Sequence, residues 1–180
     1  MNFKNRQIFL SRVRRNIWRA VSYLPFNFLP HYSGNCLRRI LLVIFGAKCG
    51  KGVTVNNKVI IYDPQNLVLN DNVSIGPGVN LYCVDKIIIG SHTVISQRAQ
   101  LLTASHDYTT SDFPLVTKPI IIGEYCWISQ GVYVLPGVTL SDNIVCAAAS
   151  VINKSFNESC VVLGGNPCKI LKQFKFVKVN

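Results

Sequence analysis

Histidine is scarce in this chain of 180 residues, and its three copies sit in different settings. His31 lies between Pro30 and Tyr32, His92 falls in a turn of a repeating segment, and His106 stands in Thr103-Ala104-Ser105-His106-Asp107-Tyr108, where that repeat breaks off. Imidazole is the side chain best suited to take a proton near neutral pH, so His106 at the edge of a polar loop is a candidate general base, although a lone histidine beside a loop is more often a structural or solvated residue. Asp107 can orient the ring or serve as a turn residue of the loop. A zinc site needs convergent ligands, and His31, His92 and His106 are not spaced to supply them, which argues against a metal-dependent hydratase. Seven cysteines without a CxxC pair read as small buried apolar residues in a reducing cytoplasm, not as a disulfide frame or a metal site.

The elements that must hold such a base announce themselves by period. Ile122, Ile128, Val134, Leu140, Cys146 and Ile152 recur at an unbroken interval of six, with a second small or apolar column at Cys126, Val132, Val138, Ile144 and Ser150. An amphipathic helix repeats its apolar residues at three or four, and Gly131, Pro136 and Gly137 also oppose one. A six-residue interval suits a short strand followed by a tight turn, three of which close one triangular coil of a parallel β-solenoid. Each coil buries its apolar face only against the next, so stacking supplies the core.

The same register occurs earlier, at Leu69, Ile75 and Leu81, with Val73 and Val79 in the second column. After a two-residue slip near Lys86 to Ile88, which reads as a bulge or short insertion, it resumes at Ile89, Ile95 and Leu101. A longer polar break runs from about His106 to Pro119, and a loop thrown out of a solenoid is where function usually sits.

Charge divides the chain. No acidic residue precedes Asp63, and from there on the acids and bases balance, so the whole net charge of +11 lies in the first 62 residues. That stretch carries Phe9, Leu10, Val13, Ile17, Trp18 and Val21 at near-helical spacing, then Pro25 and Pro30 as stops. It suits a helical cap for the open solenoid end, docked through Leu37 and Ile40 to Phe45, or contact with an anionic membrane surface. No nucleic-acid motif accompanies the charge, so no nucleic acid is expected. The apolar run Ile40 to Phe45 is far short of the ~18 residues of a spanning helix. With no apolar segment and cleavage site of a signal peptide, the expected location is cytoplasmic, with peripheral membrane contact allowed. The organisation expected is a basic helical cap over 1–48, a solenoid over 49–163 and a tail over 164–180.

The run IIGSHTVISQRAQLLTASHDY, the loop ending Phe113-Pro114-Leu115-Val116-Thr117-Lys118-Pro119, the run IIIGEYCWISQGVYVLPGVTL and the ending Gly164-Gly165-Asn166-Pro167-Cys168-Lys169 together resemble the hexapeptide-repeat acyltransferases. Within these the chain is most similar to the colanic acid biosynthesis acetyltransferase group, beside the nodulation, maltose and galactoside O-acetyltransferases. The resemblance covers roughly residues 36 to 172. It implies an all-β, left-handed parallel β-helix, a homotrimer, acetyl-CoA as acetyl donor without a metal, and a histidine at the position of His106 acting as general base. By the same similarity Trp127 and Gln130 lie along the cofactor groove and Ala148 meets the pantetheine. Asn153, Lys154, Lys169 and Lys172 then surround the nucleotide end, which makes the tail a cofactor contact. Lysine at 169 and 172, where such enzymes often carry arginine, keeps the charge and loses the bidentate fork.

The function so implied is transfer of acetyl to a sugar hydroxyl in surface polysaccharide synthesis, on a free, nucleotide-linked or lipid-linked sugar. His106 would remove the hydroxyl proton in one ternary complex, and a backbone N–H of a coil turn would meet the oxyanion. Asn80, Tyr82 and Asp85, about one coil below His106, are candidates to bond a polyol acceptor. In a trimer, His106 of one chain would face the Lys154 and Lys169 region of its neighbour. An amino-sugar nucleotide is the alternative acceptor, and a non-catalytic scaffold or membrane-surface module is the alternative of a different kind.

Overall fold

A computed structural model describes residues 3–178, with the side chains of 3–10, 31 and 32 outside the described set. The expected apolar contacts of Phe9 and Leu10 and the ring of His31 therefore lie outside the described residues.

Beyond two N-terminal helices, three parallel sheets form the faces of a triangular solenoid. The first face stacks Lys48–Cys49, Leu67–Leu69, Ile87–Ile89, Ile120–Ile122 and Thr139–Leu140. The second stacks Thr54–Val55, Ser74–Ile75, Val94–Ile95, Trp127–Ile128, Ile144–Cys146 and Val161–Gly164, with Lys169–Gln173 added antiparallel at its edge. The third stacks Ile60–Ile61, Asn80–Tyr82, Gln100–Leu102, Tyr133–Val134 and Val151–Ile152. Both apolar columns of the repeat point inward: Ile122, Ile128, Val134, Leu140, Cys146 and Ile152 are buried, as are Val132, Val138, Ile144 and Ser150.

Register pairs give the coil lengths. Cys49 pairs with Leu69 and Leu69 with Ile89, Ile95 pairs with Ile128, Ile128 with Cys146, and Cys146 with Leu163. The solenoid thus begins one coil before the first column visible in the sequence. The slip after Leu81 is a corner lengthened by two residues, a length already present in the first coil. The corners are not built on glycine alone. Left-handed backbone recurs at them on Gly52, Gly78 and Gly131, but also on Lys58, Asn72, His92, Arg98, Tyr125, Asn143 and Ala149. Cross-coil bonds such as His92 N–H to Asp71 O and Tyr125 N–H to Ser91 O hold these corners, so a small side chain is not required at each.

Helix α1 spans Phe3–Asn27 and α2 spans His31–Ile44. Pro25 lies inside α1 rather than ending it. It sits in the last turn, where one lost backbone bond costs little, and the buried guanidinium of Arg38 takes its carbonyl. Arg38 also donates to Val55 O, Leu29 O and Pro30 O, tying both helices to the first coil. Trp18 packs on Phe26 and Phe45 and donates Nε1–H to Ile61 O at 2.7 Å. Docking of α2 runs through Leu42, Leu41 and Phe45, whereas Leu37, Ile40 and Ile44 face outward, because the helix presents only one stripe to the solenoid. No helix among the described residues is long and apolar enough to cross a membrane.

Candidate active site

The long break in the repeat is a β-hairpin, Ala104–His106 against Leu115–Thr117, with His106 opposite Leu115. It leaves the solenoid at the corner after Gln100–Leu102 and rejoins it where Lys118 N–H bonds Thr103 O. His106, exposed at the hairpin's outer end, approaches the Phe113 carbonyl with Nδ1 at 2.6 Å. A carbonyl oxygen can only accept, so Nδ1 carries the proton and Nε2 of the neutral ring is left as a free base. The backbone of Phe113 is left-handed, at φ 44°.

Asp107 does not hold the imidazole. Its Oδ1 accepts from Thr109 N–H at 2.9 Å and Thr109 Oγ1–H at 2.6 Å, closing a turn at the loop's start. The hydroxyl and then the amide of Thr109 hold its carboxyl below the usual range. Of the two roles left open for Asp107, these bonds are those of a turn residue, and the contact to the ring is made by the Phe113 carbonyl, which no side-chain motif could have signalled.

Between the hairpin and the next coils lies an open cleft of about 680 Å³ containing His106, Tyr108, Lys118, Leu135, Pro136 and Asn153. Of the residues expected at the cofactor, Asn153 shares this cleft with His106. Lys118 was missed as a cleft residue, since only the hairpin's return brings it there. Lys154 follows on the same corner, its ammonium 5.4 Å from the Phe156 ring.

Trp127, Gln130 and Ala148 belong to the second face and the corner leaving it. The exposed Trp127 donates Nε1–H to Ser96 Oγ, Gln97 Nε2–H donates to Gln130 Oε1, and Gln130 O receives Ala149 N–H. Lys169 and Lys172 are exposed on the edge strand of the second face. Ser150 fixes that tail by accepting from Gly165 N–H and donating to Ala147 O. Within one chain Trp127, Gln130 and Ala148 therefore sit apart from the corner of Asn153 and Lys154, with Lys169 and Lys172 on the edge strand.

The expected acceptor residues lie one coil below the hairpin. Tyr82 pairs with Leu102 in register. Thr103 Oγ1–H donates to Tyr82 O, and Asp85 N–H donates to Thr103 Oγ1. Asn80 donates to Gln100 Oε1, and Asp85 Oδ1 accepts from Lys86 N–H.

No protein-family profile matches the chain. An Escherichia coli strain K12 protein named as a colanic acid biosynthesis acetyltransferase is 40% identical over 161 residues, covering 89% of this chain and 87% of its own. Among solved structures, a maltose O-acetyltransferase from Clostridium difficile 630 superposes with a TM-score of 0.83 at 26% identity, covering 93% of this chain and 89% of its own. A hexapeptide-repeat-containing acetyltransferase from Vibrio cholerae gives 0.82 at 26% identity, covering 92% and 93%, and has also been solved with acetyl coenzyme A. The stacked three-faced coil is the left-handed β-helix of these acetyltransferases. The chain belongs to the hexapeptide-repeat acetyltransferase family, with its 40% identical relative in the colanic acid biosynthesis group.

Proposed function

We propose that this acetyltransferase moves acetyl from acetyl-CoA to a hydroxyl of a sugar used in surface polysaccharide synthesis, with His106 as general base. The observation carrying this reading is the Phe113 carbonyl on Nδ1 of a histidine that lines an open cleft, which fixes the tautomer of the neutral ring with Nε2 as the acceptor. Nε2 takes the hydroxyl proton as the sugar oxygen bonds to the acyl carbon; the carbon–sulfur bond then breaks, and the imidazolium returns the proton to the thiolate. The products are an acetyl ester and coenzyme A, with the base regenerated. Holding both substrates in attack geometry adds to what the base supplies.

The chain's residues fit the donor. Ala147 and Ala148 leave the backbone approachable beside the exposed Trp127, which suits a pantetheine arm, while Lys154, Lys169 and Lys172 are exposed cations suited to its phosphates. Because Trp127, Gln130 and Ala148 occupy a different corner from His106 and Asn153, a donor site using all of them is assembled between chains of a homotrimer. Asn80, Tyr82 and Asp85 form the acceptor side. Residues 1–48 cap the solenoid of 49–163, and 164–180 serve the cofactor. The arginine-rich α1 and the exposed Leu24, Phe28 and Ile44 suit peripheral contact of a cytoplasmic protein with an anionic inner membrane surface.

Isotope-labelled acetyl-CoA tests the reading. Mass spectrometry of free, nucleotide-linked and lipid-linked sugars should find an ester made by the intact protein and reduced about 10²- to 10⁴-fold in His106→Ala. An amide product would move the acceptor to an amino sugar, and no product with any acceptor would end the transferase assignment for this site.

A further inference from the structure

One column of the third face continues from the cleft toward the N-terminal helices. The register pairs Ile61 with Leu81, Leu81 with Leu101, Leu101 with Val134 and Val134 with Ile152. The next residues, Tyr62, Tyr82, Leu102, Leu135 and Asn153, therefore line one edge in order. The hairpin bearing His106 leaves this edge just after Leu102. On one side stand Leu135 and Asn153, which line the cleft; on the other stand Tyr82 and Tyr62, whose rings meet edge to face at 4.9 Å.

The ladder ends in arginines. The guanidinium carbons of Arg15 and Arg19, from α1, lie 5.4 and 5.7 Å from the Tyr62 ring centroid. Asp63, the acid beside them, is taken chiefly by Arg14 at 3.0 Å, with Arg15 at 3.7 Å. Arg19 has no carboxylate partner among the described residues, so three guanidinium groups of α1 share the one carboxylate of Asp63. Positive charge is therefore in excess here, and a cavity of about 290 Å³ opens between α1 and the first coil beside Arg19, Tyr23 and Tyr62. From Tyr62 to Leu102 is two strand spacings, roughly 10 Å. That is the order of a sugar ring with its anomeric phosphate.

We propose that Arg15 and Arg19, above the Tyr62–Tyr82 ladder, form a subsite for the diphosphate of a glycosyl diphosphate acceptor. The sugar lies against Tyr82 with a hydroxyl at His106, and the phosphates meet the two guanidinium groups, whose planar forks match paired phosphate oxygens. This deepens the acetyl-transfer reading and rests on it. Nucleotide sugars and polyprenyl-linked sugars share the diphosphate.

The first measurement is calorimetric titration of the full chain with inorganic pyrophosphate, with coenzyme A saturating so that the donor's phosphate site is filled. Binding is expected, weakening with salt and falling about tenfold or more in Arg15→Gln/Arg19→Gln. Arg19→Gln alone, at an exposed position without an ion pair, should weaken it in the same direction, which guards against loss of the Arg15–Asp63 contact as the cause. The double lysine variant should retain part of the affinity. The second measurement compares acetyl transfer to glucose, galactose and N-acetylglucosamine, each as methyl glycoside, uridine diphosphate sugar and undecaprenyl diphosphate sugar. A preference for a diphosphate form that collapses in the double glutamine variant supports the subsite, and the preferred carrier identifies its source. No pyrophosphate binding, unchanged binding in both glutamine variants, or equal transfer to methyl glycosides overturns it. Pyrophosphate binding with no acetyl transfer to any acceptor overturns the transferase reading alone.

Discussion

The proposed base, His106, meets a backbone carbonyl through Nδ1, and its aspartate neighbour bonds Thr109 instead. Because the Asp107 carboxylate bonds Thr109 and leaves the ring to Phe113, Asp107→Asn should lower the transfer rate far less than His106→Ala, by under about tenfold, in the same labelled-acetyl assay. An asparagine oxygen can still accept from Thr109, so a loss as large as that of the histidine variant would return the orienting role to Asp107. The depressed pKa of Asp107 has a defined sign. The ionised form is favoured in the folded loop, so its contribution is present above the ordinary carboxyl pKa and is lost as pH falls through the folded value. Thr109→Val should raise that pKa toward the usual range, as read by carboxyl carbon NMR titration. None of this was readable from Thr103-Ala104-Ser105-His106-Asp107-Tyr108, because adjacency in sequence says nothing about which group a hairpin carries back to the ring.

At the scale of elements, the cap is joined to the solenoid through one buried cation. Arg38 donates to carbonyls of α1, the inter-helix turn and the first coil, and burial pushes its pKa down. Arg38→Leu strips four acceptors of their donor at once and should cost at least about 3 kcal/mol in urea denaturation. A loss below 1 kcal/mol would mean that Trp18, Leu42 and Phe45 hold the cap without it. The basic character of this segment was plain in the sequence, but which arginine turns inward was not. Arg38 and Arg39 are neighbours of the same type, and only the docking angle of α2 buries one of them completely. The hexapeptide columns were legible because burial repeats with the strand-and-turn unit; the first coil lies within the solenoid expected over 49–163, and the longer corner between Ile61 and Leu69 sets it off from the columns that start at Leu69.

For the whole molecule, the stacked core makes thiol chemistry a readout of folding. Desolvation pushes Cys83 and Cys126 up to about 11, and Cys146 is raised as well. Each of these thiols is kept neutral by the fold, so stability is intact below the ordinary thiol pKa and is lost as pH rises from about 9 through about 11. Thermal unfolding across that range should show the decline, and labelling at pH 8 should mark exposed Cys36 first, with Cys83, Cys126 and Cys146 reacting only on unfolding. Assembly gives a second test. If the donor groove of one chain serves the base of its neighbour, co-refolding inactive His106→Ala with inactive Ala148→Trp should restore roughly a quarter of the activity, while either alone stays inactive. No restoration would confine each site to a single chain.

What the sequence by itself determined is what repeats or is local in composition: a coil built on a six-residue interval, a break in it beside a histidine, and a charge divide at Asp63. Burial against neighbouring coils imposes the interval directly on residue type. Tertiary structure alone decided which groups meet across the breaks: the Phe113 carbonyl on His106, Lys118 and Asn153 in its cleft, and two arginines of α1 over Tyr62. Those partners come from segments whose separation follows no period, brought together by hairpin return and helix docking, and neither leaves a mark on local spacing.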